Sequence, residues 1–70
     1  MSTTPSLTPK ELARILSKNG FNLDRVKGSH QVWLNKKDGK RVVVPMHKKD
    51  LPIGTLHAIL KQAGIDKNEL

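Results

Sequence analysis

At 70 residues the chain has room for one small core, and it has no cysteine for a disulfide framework or a thiolate zinc site. A pocket enclosing a large cofactor is not expected at this size. Thirteen basic against six acidic side chains leave a net charge of +7, so the surface attracts polyanions, while no apolar run approaches the roughly 18 residues that cross a bilayer.

Residues 1–7 read as a polar tail and 8–70 as one domain without internal repeats. The tail has neither a basic start nor an apolar stretch, so the reading is of a cytoplasmic protein with no leader and no membrane partner. Thr8, Pro9 and Glu11 predict a helix start: a capping hydroxyl, a proline at the first position and a carboxylate placed to reach back. Leu12, Ile15 and Leu16 follow at spacings of three and four and form one apolar face, and Gly20 ends the helix. From Phe21 the period changes to two, with Phe21 and Leu23 alternating against Asn22 and Asp24 as in a half-buried strand. Gly28 and Ser29 interrupt it, residues 30–35 form a second strand, and 36–39 make a hairpin loop ending in Asp-Gly. Residues 40–44 form a third strand, which Pro45 ends for want of an amide hydrogen. A second helix starts near Pro52 or just after Gly54 and buries Ile53, Leu56, Ile59, Leu60 and Ala63 until Gly64 stops it. Asp66 and Glu69 suggest a short terminal turn. The order is α-β-β-β-α, an α+β fold in which a three-stranded antiparallel sheet takes both helices on one face and leaves the other open.

The positive charge is concentrated. Residues 27–49 carry Lys27, Lys36, Lys37, Lys40, Arg41, Lys48 and Lys49 against Asp38 alone, a local net charge of +6. Such a field points to nucleic acid more than to general solubility.

Several short elements occur together: Gly20-Phe21, Lys27-Gly28-Ser29-His30, Val44-Pro45 with His47, and Gly54-Thr55-Leu56 leading into residues 59–64. In this order and setting the chain resembles the HicA toxins, over about residues 10–65. The resemblance implies a fold like the double-stranded RNA-binding domain, an mRNA interferase activity that needs no metal and no small-molecule cofactor, and His30 as the catalytic histidine. It also implies a HicB antitoxin that covers the active site, and a bacterial cytoplasmic setting.

The residues can support that chemistry. RNA brings its own nucleophile, the 2′-hydroxyl, so the protein must supply proton transfer and charge stabilisation. Histidine, with an ordinary pKa of roughly 6.5, exchanges protons near neutral pH. His30 is expected as general base, giving a 2′,3′-cyclic phosphate. Gly28 would let backbone approach a phosphate, with the amides of Gly28 and Ser29 as donors. Lys27, Lys36, Lys37, Arg41, His47 and Lys48 are expected to contact single-stranded mRNA, and His47 is in addition a candidate second acid or base, the alternative being a plain loop residue. His57 is the weakest of the three histidines as a chemical group, and their spacing does not suggest a zinc site. Two questions of orientation stay open. His30 shares strand parity with Val32 and Leu34, so it is a buried structural histidine if those two face the helices, unless the glycine and serine before it break the alternation. Trp33, of opposite parity, lies either on the open face, where it would stack on a base or on the antitoxin, or in the core. The alternatives to a nuclease are a non-catalytic double-stranded RNA-binding module and a basic subunit that docks an acidic protein.

Overall fold

The computed structural model describes residues 7–46 and 50–66. Its first helix, α1 (Pro9–Lys18), begins at the predicted capping box. The Thr8 hydroxyl accepts from the Glu11 amide at 3.2 Å, and Glu11 Oε1 accepts from the Thr8 amide at 2.9 Å and the Thr8 hydroxyl at 3.1 Å. These bonds favour the ionised carboxyl, so Glu11 titrates below the usual carboxylate range, the Thr8 amide being the main cause and its hydroxyl the next. At the other end Asn19 caps the helix, and Gly20 at φ 89° reverses the chain so that the Phe21 amide donates to the Leu16 carbonyl at 3.0 Å.

Three antiparallel strands follow in spatial order β1-β2-β3: β1 (Asn22–Lys27), β2 (His30–Asn35) and β3 (Lys40–Pro45). The second helix, α2 (Ile53–Ala63), ends at Gly64, whose φ of 72° is the left-handed conformation predicted for it. The α-β-β-β-α order and the open sheet are those expected. His47 and Lys48, two expected RNA contacts, lie outside the described residues, as do Lys49 and most of the suggested terminal turn.

Leu12 and Leu16 from α1, Leu56, Ile59 and Leu60 from α2, and Val42 and Val44 from β3 make the core, with Phe21 closing its side. Both helices therefore sit on one face of the sheet, over β3, and β1 at the opposite edge is exposed along its whole length. Three expectations change as a result. Leu23 is 45% exposed because the helices do not reach β1, and only Phe21 of the expected half-buried pair is in the core. Ile53 is 52% exposed, since it stands at the first position of α2, before the apolar face turns inward. Leu7, assigned to the tail, is only 8% exposed, and its carbonyl accepts from the Leu51 amide at 2.8 Å, so the packed chain begins at least one residue earlier.

Candidate nucleic-acid interface

Directly opposed residues in an antiparallel sheet share a face. Trp33 pairs with Val42 and Gln31 with Val44, and both valines are buried under the helices, so Trp33 and Gln31 belong to the covered side. His30, Val32 and Leu34 point to the open side. This answers both questions of orientation: His30 is exposed, and Trp33 is half-buried against the core with its indole N–H donating to Gln31 Oε1 at 3.2 Å.

The register lays the open face out in three rows. The first holds Lys27, His30 and Pro45, the second Arg25, Val32 and Val43, and the third Asn22, Leu34 and Arg41. Rows are about 7 Å apart along the strands and neighbouring strands about 4.8 Å apart. His30 thus has the Lys27 side chain on the adjacent strand, Arg25 one row away and Arg41 two rows away. No hydrogen bond from another described residue holds the His30 imidazole, which is open to a ligand. Arg25 also pairs with Asp24, Nε to Oδ2 at 3.2 Å, while remaining 66% exposed.

Arg25 is absent from the sequence-based set, which was drawn from the basic stretch 27–49, and a β-bulge is what puts it on the open face. The register shifts between Leu23 and Arg25, with Asp24 as the extra residue. Strict alternation would put Leu23 and Arg25 on one face. The bulge separates them, turning Leu23 and Val26 to the helix side and Arg25 to the open side. The presence of apolar Leu23 and Val26 three apart, rather than two, is the signal that could have found it.

The loop before His30 is a two-residue hairpin, Gly28-Ser29, flanked by the paired Lys27 and His30. Gly28 has φ 58°, and a positive φ at the first of two loop residues suits the right-handed twist of the strands. The glycine is therefore demanded by the turn, whatever else approaches it, and an added Cβ there would meet nothing within 4 Å. The Ser29 carbonyl accepts from the Met46 amide at 2.6 Å, so the chain leaving β3 towards residues 47–49 departs from beside His30.

The remaining expected contacts do not gather there. Lys36 and Lys37 lie in the β2–β3 loop, about 17 Å along β2 from His30 by strand rise. Lys40 turns away: its Nζ lies against Gly64 at the carbonyl end of α2, where a cation is favoured, and 3.9 Å from Asp38. His57 lies on α2, on the other side of the sheet, lining a shallow cavity of about 180 Å³ with Leu60, Lys61 and Ile65. Among the described residues, no three His, Asp or Glu side chains are grouped to hold a metal ion.

A bacterial family model, described as HicA toxin of bacterial toxin-antitoxin, matches residues 9–65. The chain belongs to the HicA toxin family. The match spans all five elements and includes the Lys27-to-His30 turn and every open-face row. Membership in a toxin–antitoxin family implies an antitoxin partner. Among curated proteins none matches the chain. No helix of this HicA-family chain, among the described residues, is long and apolar enough to cross a membrane.

Proposed function

We propose that this HicA-family chain is a metal-independent endoribonuclease that cuts mRNA with His30 and is silenced by a HicB antitoxin. The observation that carries the reading is an exposed imidazole in one row with Lys27, on the sheet face the helices leave uncovered. His30 takes the proton of a 2′-hydroxyl. The freed oxygen attacks the adjacent phosphorus, the bond to the 5′-oxygen breaks, and the products are a 2′,3′-cyclic phosphate and a 5′-hydroxyl. Lys27, with Arg25 one row behind, supplies positive charge where the phosphorane gains negative charge. The proton required by the leaving 5′-oxygen comes from a second donor. His47, two residues beyond Pro45 in the basic segment that leaves from beside Ser29, is the side chain the sequence offers. Lys36, Lys37 and Arg41 hold the strand away from the cut, and Lys48 is a further phosphate contact.

The test is the exposed histidine itself. His30→Ala leaves the core untouched, so the variant should unfold at the wild-type temperature and bind RNA, yet cut it about a hundredfold to ten-thousandfold more slowly. Wild-type rates of cutting by that variant would remove His30 from the reaction. Binding by both proteins with cutting by neither would leave a non-catalytic RNA-binding module. Cleavage should proceed in a chelator, and growth arrest on expression of the chain should be relieved by co-expressing its antitoxin.

A further inference from the structure

We infer that this chain forms a symmetric dimer by pairing β1 edge to edge with β1 of a second copy, antiparallel, so that Asp24 of each copy stands opposite Arg25 of the other.

β1 ends the sheet, and all six of its residues are exposed among the described residues. Such an edge offers backbone donors and acceptors to another strand, and proteins commonly blunt it with charge or with a bulge. β1 carries both, yet their arrangement is self-complementary. The bulge turns Leu23 and Val26 to the helix side and Asn22, Arg25 and Lys27 to the open side. Asp24, the extra residue, shares the open side with Arg25, its Oδ2 accepting from Arg25 Nε at 3.2 Å. Read from either end, residues 22–27 therefore show one order of faces: open, helix, open, open, helix, open. Two strands related by a two-fold axis must match face with face at every opposed pair. With the axis between Asp24 and Arg25, β1 does so against its own copy at all six positions. A strand of strict alternation would fail in this register, so the bulge is what permits it.

The chemistry matches as well. Asp24 opposes the partner's Arg25, Leu23 opposes the partner's Val26, and each pair occurs twice by symmetry. Asn22 opposes the partner's Lys27, a neutral group against a cation. Centring the pairing on Val26 instead would set Arg25 against the partner's Lys27, two like charges. The pairing covers Leu23 and Val26, which the helices leave 45% and 58% exposed. Because the axis runs perpendicular to the sheet, the open faces of the two copies merge into one face six strands wide with a His30 in each half. A six-residue edge is small, and a charge of +7 on each copy opposes association, so the dimer is weak, with a dissociation constant of about 10–100 µM at about 0.15 M salt, where distant charges are screened.

Sedimentation velocity of the wild type from about 5 to about 500 µM should show monomer passing into dimer. Asp24→Arg and Arg25→Asp each oppose like charges across the axis and should weaken the dimer by about tenfold or more, with thermal unfolding unchanged because both side chains are exposed. Mixed in equal amounts, the two variants should form a heterodimer, since every opposed pair is then of opposite sign, and the double variant carrying both changes should pair with itself again. Val26→Lys, which sets a cation against the partner's Leu23, should also sediment as monomer. A wild type that stays monomeric at about 500 µM overturns the inference, as does a dimer indifferent to both charge variants or a mixture of the two that fails to associate. A monomeric wild type whose binding to its antitoxin is lost in Val26→Lys would assign the edge to the antitoxin and likewise overturns it.

Discussion

Gly28 is held at φ 58° by the two-residue turn that delivers His30 to the sheet end, and the space around it is open. Alanine there meets no neighbour, so its whole penalty is conformational: about 1–2 kcal/mol for a left-handed non-glycine residue. Gly28→Ala is expected to lower the unfolding free energy by that amount and to slow RNA cutting, whereas Gly28→Asn, which tolerates this conformation better, should retain more of both. Denaturant titration and cleavage rates on the two variants check it, and an asparagine variant as impaired as the alanine variant, or more so, would show that the left-handed backbone angle is not what the glycine supplies. Asn35 is the comparable residue at the opposite end of β2. It is buried, and its amide ties the end of α1 to the β2–β3 loop through Asn19 and Lys37. The sequence placed Asn35 only as the last residue of the second strand. The structural duty of Asn35 depends on Gly20 passing so close that a Cβ at that position would stand 3.4 Å from the Asn35 amide nitrogen, a proximity between positions fifteen residues apart.

Among the elements, α1 was legible in full because everything that starts it lies within four residues. Thr8→Ala removes the hydroxyl that accepts from the Glu11 amide and should cost about 1 kcal/mol of stability. The acid dependence follows from Glu11, whose folded-state pKa lies below its ordinary value. Its contribution is present at neutral pH, above the unfolded-state value, and is lost as pH falls through the lowered folded-state value. Urea midpoints measured at about pH 7 and about pH 3 should therefore fall more for the wild type than for Glu11→Gln, whose side chain keeps an acceptor without titrating. A parallel loss in the two proteins would mean that other carboxyls dominate. The β1 strand was less legible. Its limits follow from the chain turning at Gly20 and Gly28, but its facing does not, because one extra residue at Asp24 exchanges the sides of everything before it.

Across the whole molecule, the described basic side chains do not gather on one surface. Lys27, Arg25 and Arg41 share the open face with His30, Lys36 and Lys37 lie at the far loop, and Lys40 serves the end of α2. A strand crossing the face from His30 towards Arg41 would meet about three phosphate contacts, from Lys27, Arg25 and Arg41, for which affinity should drop about 20-fold as salt rises from about 50 to about 200 mM. Fluorescence anisotropy with the His30→Ala protein measures that slope. Arg25→Gln and Arg41→Gln should each make it shallower by about 0.7 in log–log units, and Lys40→Gln should leave it unchanged. A slope that responds to Lys40 as strongly as to Arg25 would place the strand elsewhere.

Caps, turns and strand limits were readable from the order of residues because they depend on hydrogen bonds and backbone angles among neighbours a few positions apart. The basic centre and the Gly-Ser-His turn were readable for the same reason. Which face of the sheet the helices cover was not, since Val32, Leu34 and Val43 offer one apolar side and Trp33, Val42 and Val44 the other, and alternation weighs the two equally. Only the packing of α1 and α2 over β3 separates them, by summing burial over residues far apart in the chain. That choice seats Trp33 under the helices and leaves His30 in the open beside Lys27.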